Sequence, residues 1–117
     1  MDITAWRTQL RKGAAELLVL ALLERGEAYG AQILDGVNAD GPLVAAGALY
    51  PLLGRLERNG RIVASWSAPA PDSAPRKYYS LTAEGRAALA DMRGAWSRFR
   101  DGVDSALTPS DPLEATA

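Results

Sequence analysis

Between Ala45 and Ala106 the hydrophobic period changes twice, and this alternation constrains the fold more than any other feature of the chain. Leu49, Leu52, Leu53 and Leu56 recur at helical spacing and stop at Asn59-Gly60. Ile62, Ala64 and Trp66 then alternate with Val63 and Ser65, and from Leu89 onward the spacing is helical again. Helical spacing gathers apolar residues into one stripe, whereas strict alternation places them on one face of a strand. The sequence therefore predicts a helix from about Ala45 to Gly60, a hairpin whose second strand runs from Arg76 to Leu81, and a long helix capped by Thr82. The nine-residue connection Ser67 to Pro75 holds three prolines and little to bury, so it is expected to be an exposed, semi-extended tip.

The outer side of the first of these helices carries Arg55 and Arg58, and the hairpin beside it carries Arg76 and Lys77. A helix fits the DNA major groove, and cations at its outer side and on a neighbouring hairpin suit a phosphate-lined duplex. The net charge of −1 opposes this reading less than it seems to. Residues 101–117 hold Asp101, Asp104, Asp111 and Glu114 with no basic residue, whereas Arg55, Arg58, Arg61, Arg76 and Lys77 face only Glu57 and Asp72 in the stretch from Arg55 to Lys77. The location of charge decides the matter, not its total. Arg55 is the best candidate for a bidentate guanine contact, with an internal pair to Glu57 or Glu16 as the alternative. Two features sit uneasily with an ideal helix: Ala45 is a poor N-cap, and Pro51 falls past the first turn.

Composition removes most catalytic chemistry. The 117 residues include no Cys and no His, so structural zinc, disulfides, thiol nucleophiles and imidazole bases are excluded, and neither an enzyme nor a bound metal or cofactor is expected. One domain with a small core fits the length and the 48% hydrophobic content. The longest apolar run, Leu17 to Leu23, is too short to span a bilayer, and no signal peptide is evident, so the chain is read as soluble, cytoplasmic and without a membrane partner.

Ahead of the first leucine stripe, Ile3, Trp6 and Leu10 mark a short N-terminal helix, Ala14 to Arg25 a central core helix stopped by Gly26, and Ile33, Leu34 and Val37 a helix that begins near Tyr29 and breaks at Asp40-Gly41-Pro42. In the last helix, Leu89, Met92, Trp96, Phe99, Val103 and Ala106 follow a 3-4-3-4-3 spacing, a seam that packs on another helix. A small domain cannot cover a seam of that length. A second copy is the simplest cover, and Ile3, Trp6, Leu10, Leu89, Met92, Trp96, Phe99 and Val103 are the expected interface of a homodimer. Two recognition helices would then meet two half-sites of a pseudo-palindromic operator.

Three blocks resemble the PadR-like family of winged helix-turn-helix transcriptional regulators: Leu17 to Gly30 with its Tyr29-Gly30 pair, Leu49-Tyr50-Pro51 with Arg55-Leu56-Glu57 and Gly60, and Arg76-Lys77-Tyr78-Tyr79 followed by Leu81-Thr82 and Gly85. The resemblance implies a mainly α fold with a small β-hairpin wing, a winged helix-turn-helix carrying a long C-terminal dimerisation helix. It divides the chain into a DNA-binding unit at 1–81, a dimerisation helix at 82–107 and a disordered tail at 108–117. It implies a regulator, expected to repress, that binds double-stranded operator DNA through Ala48, Leu49, Tyr50, Arg55, Arg58, Arg76 and Lys77. Where this chain has Ala48 the family usually has Thr. The length and Trp96-Ser97-Arg98 look like the multidrug-sensing branch, in which an aromatic at the dimer seam stacks on planar hydrophobic or cationic ligands. Trp96 would be that residue, with Phe99 and Trp6 beside it, and the alternative is that Trp96 only fills the seam. A winged-helix module that binds proteins and not DNA is the alternative function.

Overall fold

A computed structural model describes residues 1–109 and 112. Four helices and three short strands follow one another as α1 (Thr4–Leu23), β1 (Ala28–Tyr29), α2 (Gly30–Val37), α3 (Ala46–Arg58), β2 (Ile62–Ser67), β3 (Arg76–Leu81) and α4 (Ala83–Leu107). The expected mainly α architecture with a hairpin wing is present, with a third strand that the sequence did not reveal. β1 pairs antiparallel with β3 through Ala28 with Tyr79 and Tyr29 with Tyr78, giving the sheet order β1-β3-β2. No helix among the described residues is long and apolar enough to cross a membrane.

The separate N-terminal helix expected before Gly13 is absent. Residues 4–23 form one unbroken helix, because a glycine in a helix interior costs only about 1 kcal/mol and good helix formers flank it on both sides. The core joins Val19, Leu20 and Leu23 of α1 to Ile33 and Val37 of α2, Leu49, Leu52, Leu53 and Leu56 of α3, Ile62, Tyr79 and Leu81 of the sheet, and Leu89 of α4. All four leucines of the α3 stripe are buried, as their spacing predicts.

Asn38, at the end of α2, fixes the turn that leads to α3. Its Oδ1 accepts from the N–H groups of Leu43 (2.9 Å) and Val44 (2.7 Å), and its Nδ2 donates to the Val44 carbonyl (2.8 Å). One side chain thus satisfies three backbone groups of a turn that has few partners of its own. Asn38→Ala should therefore lower unfolding free energy by about 2 kcal/mol, measured by urea denaturation, since each bond contributes roughly 1 kcal/mol and part is recovered from water.

The start of α4 is seated on the turn between α3 and β2. Thr82 accepts the Gly85 N–H at 2.9 Å and donates its own hydroxyl to the Gly60 carbonyl at 2.6 Å, and its N–H donates to the Arg61 carbonyl at 3.2 Å. Gly85 is buried against this turn, where an added Cβ would stand 1.9 Å from the Arg61 carbonyl oxygen. The boundary between residues 81 and 82 is therefore not a break in packing: the first two turns of α4, through Leu89, belong to the core.

Ion pairs give the direction of α4. At its start, Arg61 pairs with Glu16 of α1, and eleven residues beyond Thr82, Arg93 pairs with Glu24 just past the α1 C-terminus at 3.0 Å. The two helices therefore run the same way, and everything after Arg93 projects beyond the end of α1. The hydrogen bond and charge of Arg93 hold the Glu24 carboxyl below its ordinary range. The molecule extends 73 Å along its longest axis, about twice the length of either long helix alone, about 30 and 37 Å at 1.5 Å per residue. Its radius of gyration of 18.3 Å compares with about 13 Å for a compact chain of this size.

Candidate nucleic-acid interface

With Leu49, Leu52, Leu53 and Leu56 turned inward, a period of 3.6 leaves Gly47, Pro51, Gly54 and Arg58 along the middle of the outer face of α3, with Tyr50 on one flank and Ala48 and Arg55 on the other. The outer surface of α3 is thus short of bulk over its first turns and carries its two guanidinium groups toward its C-terminal end. Arg58 lies back along it, its Nη1 3.3 Å from where a Cβ on Gly54 would be. The Tyr50 hydroxyl and ring edge occupy the place a side chain on Gly30 would take, 2.7 and 2.8 Å from its Cβ position, so the first turn of α2 sets the ring's position. This accounts for the pairing of Tyr29-Gly30 with Tyr50-Pro51 in the sequence. Gly30→Ala should displace the ring at modest cost, because Tyr50 is more than half exposed, and the expected readout is a changed Tyr50 ring resonance with little change in melting temperature.

The start of α3 matches the expected weakness: Ala45 offers no side-chain cap, and the Ala48 and Leu49 N–H groups both turn back to the Ala45 carbonyl. A helix N-terminus with free N–H groups favours an anion.

Neither internal pair considered for Arg55 is present. Glu16 pairs with Arg61, and Glu57 accepts from Lys77 at 3.3 Å, so neither carboxylate holds Arg55. Among the described residues, Arg55 and Arg58 have no acidic partner within ion-pair distance. Lys77 is less free than the sequence suggests. Its hydrogen bond to Glu57, aided by Tyr79, raises its pKa above the ordinary lysine value, so it is a fixed cation already half answered by a carboxylate.

On the other face of β3, Arg76 stands 4.5 Å over the Tyr29 ring, and Tyr29 meets Tyr78 edge-on at 5.5 Å between ring centres. Tyr29 and Tyr78 therefore steer the wing cation, a role that sequence reasoning missed because their pairing depends on the two-residue strand β1. Trp66, far out on β2 opposite Lys77, shares the face of the buried Ile62 and yet is 69% exposed. The core ends before that register.

Two residues assigned by sequence take other places. Leu49, counted among the DNA contacts, is fully buried because it carries the inward phase of α3, and it supports the outer face of the helix from behind. Leu89, counted in the dimer seam, is 1% exposed within its own chain, since α4 has not yet left the core there. Met92 is partly buried against the same core. Ile3, Trp6, Leu10, Trp96, Phe99 and Val103 are exposed. Trp96 and Phe99 are neighbours, with ring centres 6.4 Å apart, but Trp6 sits on the opposite projecting end and pairs with neither. The tail expected to be disordered, 108–117, lies outside the described residues except for Thr108, Pro109 and Pro112. Of these, Thr108 donates its N–H and hydroxyl to the Asp104 carbonyl at the end of α4.

Comparison with known proteins agrees with this geometry. The sequence model described as "Transcriptional regulator PadR-like family" matches residues 19–91. The chain is 33% identical over 87 residues to transcriptional regulator Rv3488 of Mycobacterium tuberculosis, covering 74% of this chain and 79% of that protein. Among solved structures, a PadR family transcriptional regulator from Eggerthella lenta superposes with a TM-score of 0.78 at 35% identity, covering 92% of this chain and 94% of the other. A PadR-like regulator from Bacillus cereus gives 0.77 at 28% identity, covering 87% and 99%. The family match spans more than half of the chain and the relatives align over most of it, and the chain belongs to the PadR-like family of transcriptional regulators.

Proposed function

We propose that this protein is a repressor that grips a pseudo-palindromic operator as a two-fold homodimer, with α3 in the major groove and the wing on the flanking backbone. The observation that carries this reading is the outer face of α3, small over its first turns and carrying Arg55 and Arg58 toward its end, while Glu16 and Glu57, the two carboxylates that could have held Arg55, are occupied by Arg61 and Lys77. Arg55 and Arg58 are the base-reading and groove-edge candidates, Ala48 offers a methyl to thymine, and Tyr50, Arg76 and Lys77 serve the phosphates. No catalytic role enters, since the chain's relatives are regulators.

The test is the salt dependence of binding to duplexes enriched from a random pool. Arg76→Ala should lower the slope of log affinity against log salt by about one per protomer. Lys77→Ala should lower it by less, because Glu57 already answers that charge. Slopes that do not move in either variant would take the wing off the DNA.

The dimer reading rests on where the exposed apolar residues lie. Ile3, Trp6 and Leu10 line the free end of α1, while Trp96, Phe99, Val103 and Leu107 line the free end of α4 at the other extremity. One chain cannot bring these two sets together, but a two-fold axis lays each α4 end against the partner's α1 end. In that seam Trp96 and Phe99 offer ring faces to a planar hydrophobic or cationic ligand, which would act by favouring one seam arrangement over another. Trp96→Ala should hold operator affinity within a few-fold while removing the response to planar cations in a competition assay. Collapse of operator binding would make Trp96 a strut of the seam and not a ligand contact.

A further inference from the structure

A cavity of about 410 Å³ lies between the N-terminal half of α1 and the start of α3, on the side of α1 away from Ile3, Trp6 and Leu10. Its wall is apolar, built from Ala15, Leu43, Val44 and Leu52, and every charged side chain on it is a cation: Arg11, Lys12 and Arg55. Arg11 is committed to the Pro42 carbonyl at 3.2 Å, which fixes one edge of the opening. Lys12 and Arg55 have no acidic partner among the described residues. This volume is in the range of small-molecule sites, about 300–1,000 Å³, and an apolar wall with a few convergent charged groups is their usual chemistry.

We infer that this cleft binds an amphipathic carboxylate, its apolar body between α1 and α3 and its carboxylate at Lys12 and Arg55. The sign of the lining selects an anion, and the absence of any carboxylate from the wall leaves that charge unopposed. A carboxylate offers Arg55 a bidentate partner, the same geometry with which a guanidinium meets guanine. Occupancy therefore draws Arg55 toward α1 and away from the groove-facing side of α3. This site is separate from the Trp96 seam, and only its effect on DNA rests on the proposed operator reading; binding itself does not.

Decanoate is a suitable probe, titrated calorimetrically into the full-length protein without DNA and followed by backbone amide shifts. The expected result is binding at least tenfold tighter than decylamine, with shifts centred on Thr8, Ala15, Leu43 and Ala48. Lys12→Glu, on an exposed position of α1, should weaken decanoate about tenfold without changing the melting temperature. Equal binding of decylamine, shifts confined to Trp96 and Phe99, or full affinity in Lys12→Glu would overturn the assignment. Absence of decanoate binding would do so as well, and would be the outcome if a second copy fills the cleft. If the protein ignores DNA but passes these tests, the operator reading fails and the carboxylate site stands.

Discussion

Gly85→Ala should destabilise the protein by about 3 kcal/mol and lower its melting temperature by roughly 10 °C. The added methyl would sit 1.9 Å from the Arg61 carbonyl oxygen, a backbone atom that cannot swing aside. Relief requires that α4 lift off the turn between α3 and β2, which also strains the Thr82 bonds to Gly60 and Arg61. Gly94→Ala is the control, in the same helix. There the nearest atom is the Arg98 Nη1 at 3.4 Å, the end of a flexible side chain, and alanine's better helix propensity should leave stability unchanged or raised by about 0.5 kcal/mol. Calorimetric melting of both variants reads the difference directly. Equal melting temperatures would mean that α4 is not seated on this turn.

The other large effect is expected from Phe99→Glu. The ring is 61% exposed at the projecting end of α4, so the folded chain loses little and its melting temperature in isolation should hold. A carboxylate in the proposed seam, however, is both desolvated and set against its symmetry mate. Dimers should give way to monomers, seen by sedimentation, and operator affinity should fall by about 100-fold or more, because each half-site then binds without the gain from its tethered twin. An intact dimer in this variant would move the interface off this face of α4.

How much of this was readable in the sequence depended on the range of the interaction that set each feature. α3 was legible because its leucines repeat locally and bury as their spacing requires. The Thr82 cap was legible for the same reason, its partner lying only three residues on. β1 was not, since two residues carry no period and Ala28 and Tyr29 are strands only by pairing with Tyr79 and Tyr78. Nor was the occupation of Glu16 by Arg61, a contact across 45 residues that decides whether Arg55 is free.

Within the site, motif position and helical phase disagreed at Leu49, and phase won: a side chain flanked by contact residues can still be the one that points inward. Leu89 failed for the complementary reason. A seam read from spacing alone does not say where along the rod one's own core ends and free surface begins. Asn38 was passed over because a lone amide in a polar turn carries no signal until Leu43 and Val44 fold back onto it.

The tip of the wing, Ala68 to Pro75, is exposed throughout, and Ser73 donating to the Ala70 carbonyl is its one backbone bond outside the strands. A segment tied down by so little can be rebuilt without disturbing anything else. An epitope or a dye-labelled cysteine grafted between Pro69 and Ser73 should be tolerated, and in a chain with no native thiol it would give a single reporter at the edge of the proposed DNA contact.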